Sequence, residues 1–171
     1  MGKSLFLTVI YAVCSLCYMA AQGLVNVKHY SVKDGMSQNT VQGVLQDNEG
    51  YIWMATWNGL EKFDGYSFKN YKTYPTDKVK LQYNRLVNLQ LGGNQMLVCQ
   101  SYDRRVYLFD IRRECFEDVF VYHPEVKLCT AASKIITLPN GMVWIVGTNG
   151  DLWRIDCFRY KDKGGLVYLP T

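Results

Sequence analysis

A dipeptide echoes down this chain at a fixed interval, and that interval limits the fold more than any other feature. Phe63-Asp64 returns as Phe109-Asp110 and again as Ile155-Asp156, two equal steps of about 46 residues. Around the first copy, Asp47-Asn48-Glu49-Gly50 leads into Tyr51-Ile52-Trp53-Met54-Ala55-Thr56. Trp57-Asn58-Gly59 follows, then Leu60-Glu61-Lys62-Phe63 and Asp64-Gly65. Asp-x-x-Gly, Asn-Gly and Asp-Gly are tight-turn sequences, because Gly and Asn accept positive φ at little cost. The runs between them are too short for helices and rich in aromatic and β-favouring residues. They spell an antiparallel meander.

The third copy keeps Pro139-Asn140-Gly141-Met142-Val143-Trp144 and Asn149-Gly150, with Asp151 as a one-residue insertion. The middle copy is degenerate: Gly92-Gly93-Asn94, Met96 to Cys99, then Val106 to Phe109, with Asp103-Arg104-Arg105 where the others have Asn-Gly. Each repeat parses as four strands. In the first they are Val41 to Gln46, Tyr51 to Thr56, Leu60 to Asp64 and Phe68 to Tyr71. In the second, Leu86 to Leu91, Met96 to Gln100, Val106 to Asp110 and Cys115 to Val121 take these places. In the third, they are Ser133 to Leu138, Met142 to Val146, Leu152 to Asp156 and Phe158 to Tyr160 or a little beyond. Val25 to Val32 alternates apolar and polar residues, the pattern of a further half-buried strand, closed by the turn Lys33-Asp34-Gly35.

Four-stranded units at this period are the mark of β-propeller blades. The expected fold is all-β: an incomplete β-propeller over residues 24–171, with blades at about 40–72, 84–122 and 132–160. A polar linker, Thr73 to Tyr83, carries Lys78 and Lys80 and separates the first blade from the second. Propellers close with about four to eight blades. Three leave apolar end faces, which calls for further blades or a second copy of the chain as partner.

The chain starts Met1-Gly2-Lys3, followed by an apolar run from Leu5 to Ala21 and the small residues before Leu24. That is the layout of a secretory signal over residues 1–23, giving a signal helix and an exported, periplasmic protein. The run approaches bilayer-spanning length, so an uncleaved anchor is the alternative. No later stretch is long and apolar enough to span. Charge excludes another class: 19 Lys and Arg stand among 15 Asp and Glu, net +4, without the clustered basic footprint of a nucleic-acid binder.

Chemistry is sparse. His29 sits in the alternating segment and His123 in a loop before Pro124, so neither a Ser-His-Asp arrangement nor a metal site is spelled, and no cofactor motif is present. Cys14 and Cys17 fall in the signal. Cys99, Cys115, Cys129 and Cys157 lack zinc-like spacing, and read as free thiols on strands rather than bridges, although Cys115-Phe116 and Cys157-Phe158 hold matching places.

One stretch is more specific. Tyr30-Ser31-Val32-Lys33-Asp34-Gly35-Met36-Ser37-Gln38-Asn39-Thr40-Val41, followed by Gln46 to Thr56 and Asn58-Gly59-Leu60, resembles the start of a known family. It is similar to the periplasmic sensor region of hybrid two-component systems of Bacteroides-type bacteria, built from two-component-regulator propeller repeats. The family pattern, Gln-Asp-x-x-Gly-x-Ile-Trp-Ile-Gly-Thr-x-x-Gly-Leu and then an aromatic and Asp, is kept nearly whole in Gln46 to Asp64, with Met54-Ala55 for Ile-Gly. The resemblance implies a non-catalytic ligand-sensing segment, most often for glycan fragments. In full-length members, further propellers, a membrane span, a histidine kinase, a receiver and a helix-turn-helix output follow. This chain looks like an amino-terminal piece of such a sensor.

Blade topology suggests where a ligand would sit. The loop joining a blade's second and third strands opens on the face where its first strand begins. That gathers Trp57, Asn58, Tyr102, Arg104 and Asn149 on one rim with Asn39 nearby, rings beside amide and charged groups as an oligosaccharide requires. The competing reading has Trp57 packed between blades and the others as ordinary loop residues. Two other functions remain open: an interaction module or remnant without activity of its own, and a propeller carbohydrate-active enzyme. The enzyme would need acidic or His residues clustered at one rim.

Overall fold

The structure, a computed structural model, describes residues 2–3, 6–11, 26–77, 79, 81–93, 95–126 and 131–169. The expected signal cleavage before Leu24, Cys14, Cys17 and Cys129, and Lys78 and Lys80 of the linker lie outside the described residues. Residues 6–11 are helical, and no helix among the described residues is long and apolar enough to cross a membrane.

Among the described residues, twelve strands form three antiparallel sheets of four, each laid out in chain order. The first holds β1 (Val41–Gln46), β2 (Ile52–Thr56), β3 (Gly59–Phe63) and β4 (Phe68–Tyr71). The second holds β5 (Leu86–Leu91), β6 (Met96–Ser101), β7 (Val106–Asp110) and β8 (Cys115–Glu117). The third holds β9 (Ala132–Thr137), β10 (Met142–Gly147), β11 (Leu152–Asp156) and β12 (Leu166–Leu169). This is the all-β, partial-propeller architecture that the repeat spells.

The echoed aspartates explain why the period is visible. Asp64 Oδ1 accepts from the backbone N–H groups of Tyr66 and Ser67 at 2.8 and 2.7 Å. Asp110 Oδ1 does the same for Arg112 and Arg113, at 3.0 and 2.9 Å. Asp156 Oδ1 takes Phe158 N–H at 3.0 Å. Each carboxylate satisfies the orphan donors of the turn after a blade's third strand, so the residue type recurs with the turn.

Three local expectations are corrected. Residues 26–31 form no strand, and Val32–Asp34 is a turn of 3₁₀ helix. Ser31 and Asp34 exchange hydrogen bonds as a capping box, which satisfies the backbone locally and removes the need for a pairing partner. The strand expected from Cys115 to Val121 stops at Glu117, because Asp118 caps Phe120 N–H at 3.0 Å and opens a helical turn, Val119–Tyr122. The edge strand expected at Phe158 to Tyr160 is a turn nucleated by Asp156. The chain pairs with β11 only at Leu166–Leu169, which carries the third blade past residue 160.

The sheets stack face to face. Trp53, Ala55, Leu60 and Tyr71 of the first blade meet Leu89, Leu97, Cys99, Tyr107, Phe109 and Phe116 of the second. The other face of the second, with Met96, Val98, Val106 and Leu108, meets Ile135, Val143, Ile145, Trp153 and Ile155 of the third. The inner strands of the second blade are therefore covered on both sides, and β6 is buried nearly throughout. The free side of the first blade is closed by the segment before β1. Tyr30 packs edge-on against Phe63 and Phe68, Met36 is buried, and Ser37 N–H donates to the buried Glu61. The far side of the third blade has no such cover among the described residues. Trp144, Val146 and Leu152 are half-buried there, and Ile136 and Leu169 are exposed.

Candidate functional site

One backbone hydrogen bond recurs in all three blades and builds the rim. The residue after a blade's second strand donates to the carbonyl just before its first: Trp57 N–H to Thr40 O at 3.3 Å, Tyr102 N–H to Arg85 O at 2.8 Å, Thr148 N–H to Ala131 O at 3.1 Å. Each loop between second and third strands is thereby latched to the start of its own blade. Ala132 N–H donates to Arg104 O at 2.9 Å and ties the second blade's loop to the third blade.

On this rim the Arg85 guanidinium lies between two rings, 3.4 Å from the centroid of Trp57 and 4.6 Å from that of Tyr102. A planar, weakly hydrated cation is well suited to such a stack. Trp57 comes from the first blade and Arg85 and Tyr102 from the second, so the stack bridges two blades. It stays open: Trp57 is 42% and Tyr102 60% exposed. The Nε of Arg85 is buried and meets no hydrogen-bond acceptor among the described residues. Beside it, Val87, Gln100, Tyr102, Arg104, Ala132 and Ser133 line an open groove of about 580 Å³. Asp103, the carboxylate on the same loop, is engaged by Arg105 at 3.4 Å.

The structure brings Trp57 and Tyr102 together about Arg85 and puts Arg104 with Tyr102 on the groove, whereas the side chains of Asn39 and Asn149 and the backbone of Asn58 are engaged in hydrogen bonds nearby. Asn39 is exposed, one residue from the Thr40 latch, but its side-chain oxygen accepts Val32 N–H at 2.8 Å and clips the leading 3₁₀ turn. Asn58 is half-buried in the β2–β3 turn, its N–H on Thr56 Oγ1 at 3.1 Å and its carbonyl bonded by Asn70. Asn149 is bound into its own turn through Asp151, at 2.6 Å from Nδ2 to Oδ2. Arg85 is the residue that sequence reading passed over. It holds the same place before β5 as Thr40 before β1, so the topological argument that selected Asn39 also pointed to it.

A second polar cluster lies at the outer edge. Glu117 accepts from Tyr122 Oη at 2.7 Å and Lys161 Nζ at 3.3 Å, and Arg113 reaches both Glu117 and Tyr160 Oη. Burial opposes the Glu117 charge, but the hydrogen bonds from Tyr122 and Lys161 and the Arg113 charge outweigh it and hold the carboxyl below its usual value. Glu114 does likewise for the preceding blade junction, with Lys69 and Tyr71 as donors, and the Lys69 bond lowers it first. These are clasps between neighbouring blades, with each carboxylate matched to donors. His123 is buried with Nε2 donating to Tyr160 O at 2.6 Å. Cys99, Cys115 and Cys157 are free thiols, and burial pushes Cys157 up to about 12. Among the described residues no group of three or more His, Cys, Asp or Glu could hold a metal ion.

No family model matches the chain. A curated relative, histidine kinase P4 of Formosa agariphila, is 32% identical over 76 residues, spanning 44% of this chain and 6% of that protein. Two solved structures of one extracellular domain from B. thetaiotaomicron superpose with a TM-score of 0.55. One is described as belonging to a one-component system and the other to a hybrid two-component system. They are 24% and 21% identical, and the match covers 80% and 85% of this chain but only 16% and 17% of theirs. The N-terminal domain of Nup159 matches at a TM-score of 0.51 with 11% identity, over 79% of this chain and 31% of that one. At these identities the structural likeness speaks for the propeller fold. The chain resembles extracellular sensor domains of two-component systems and spans a small fraction of the proteins it matches.

Proposed function

We propose that the chain is the ligand-sensing region of an exported two-component sensor, that it binds an oligosaccharide fragment at the Trp57–Tyr102 rim, and that it performs no catalysis itself. The observation that carries this reading is the latched, half-open aromatic pair spanning two blades beside a polar groove. Ring faces cover sugar C–H groups while Gln100, Ser133 and Arg104 supply hydrogen bonds to hydroxyls. Placement across a blade junction suits signalling, because a ligand gripping both blades favours one relative arrangement over another. Export through the leading segment would put this rim in the periplasm, with the signalling domains of the parent protein beyond the membrane.

The test is calorimetric titration of the full chain with a panel of oligosaccharides. Trp57→Ala and Tyr102→Ala should each weaken binding about tenfold while leaving the melting transition in place. Unchanged affinity in both folded variants would discard the site.

A second reading follows from the third blade. Its apolar outer face suits packing against another blade of the same repeat or against a second copy, which would make this chain a component of a larger assembly.

A further inference from the structure

The charges at the rim select among saccharides. Arg85 packs against two rings, its Nε is covered, and no acceptor reaches that nitrogen among the described residues. A buried or stacked Arg that only holds structure is ordinarily matched by a carboxylate, as Arg113 is by Asp110 at 2.7 Å and by Glu117. The carboxylate close at hand, Asp103, is given instead to Arg105 and to Ser101 Oγ. On the third blade's own turn, Asp151 is bonded by Asn149 and by Tyr168 Oη at 2.8 Å. Arg104 is exposed on the adjoining loop, in a left-handed backbone conformation with φ 65°. The rim thus carries two guanidinium groups that form no ion pair with an acid among the described residues.

We infer that the ligand is an acidic saccharide, bearing a uronate carboxylate or a sulfate ester, with its acid group on Arg85 and its ring against Trp57 or Tyr102. A guanidinium fork matches either anion through paired N–H donors, and the flanking rings exclude water and so strengthen the contact. This inference rests on the oligosaccharide reading above and names the class of sugar within it.

The experiment titrates the full chain with short oligogalacturonates, with sulfated galactan fragments and with neutral galacto-oligosaccharides of equal length. The unmodified chain should prefer one of the acidic sets, and raising the salt concentration should weaken that binding. Arg85→Gln should lower acidic affinity about tenfold, and lower it more than any neutral binding. The two acidic sets distinguish carboxylate from sulfate ester. Equal binding of neutral and acidic fragments, insensitive to salt and to Arg85→Gln, overturns the acidic assignment and leaves the rim as a neutral-sugar site. Salt dependence is read on the unmodified chain, so the outcome stands even if the Arg85 variant unfolds. Binding of no saccharide to the folded chain overturns both readings together.

Discussion

Asp47 shows how much one side chain does here. Its Oδ1 accepts from Glu49 and Tyr51 N–H at 2.9 and 3.0 Å, closing the Asp-x-x-Gly turn. Its Oδ2 accepts from the indole of Trp53 at 2.7 Å, at a site from which solvent is excluded. The Trp53 ring then lies 5.4 Å from Phe109 and 5.7 Å from Tyr71, in the layer between the first two blades. Asp47→Ala strands a buried indole donor and loosens the turn, and should cost about 2–3 kcal/mol. Asp47→Asn, which keeps an acceptor, should recover some of that loss. Urea unfolding of the full chain measures both, and equal stability of the Ala variant would refute the role. The pairing of Asp47 with Trp53 was not legible from their spacing alone. Along the chain they read as a turn residue and a strand residue, and only the register of β1 against β2 brings the carboxylate to the indole N–H.

At the level of elements, the blades are held at their outer edges by Glu114 and Glu117. Glu117 is buried and its folded carboxyl sits below the ordinary glutamate value of 4.5. A depressed carboxyl contributes stability that is complete above the unfolded value and is lost as pH falls through the folded one. The melting temperature of the full chain should therefore drop between about pH 5 and pH 3, and Glu117→Gln should flatten that slope. Parallel curves for the two proteins would remove Glu117 from the account. The strand boundaries of the first two blades were readable because turn residues flank them. The last strand was not. Leu166–Leu169 starts ten residues past the end of β11, whereas β8 starts five past the end of β7, so the repeat spacing pointed to the wrong segment.

For the whole molecule, the two ends differ. The leading segment covers the first blade through Tyr30, Met36 and Ser37, whereas the third blade presents Ile136, Trp144, Leu152 and Leu169. Trp144 stands where Trp53 stands two blades earlier, and Trp53 is fully buried against the next blade. An apolar sheet face of this kind drives association in water. The chain expressed by itself should self-associate with increasing concentration, and Ile136→Lys should shift it toward monomer without lowering its melting temperature. Sedimentation showing a concentration-independent monomer before mutation would count against a docking role for this face.

What the sequence determined on its own was whatever depends on near neighbours. Turns set by Asp, Asn and Gly, the alternation of short apolar runs, and their return at a constant step were enough for three antiparallel blades and for the rim that their loops share. The tertiary structure decided what depends on contacts between blades. It placed Arg85 against rings from two blades, tied Asn39 to the leading turn, Asn58 to Asn70 and Asn149 to Asp151, and folded the leading segment over the first sheet instead of into it. The physical reason is range: a turn is satisfied by hydrogen bonds within a few residues, whereas a stacked cation or a covered sheet face exists only once distant strands have met.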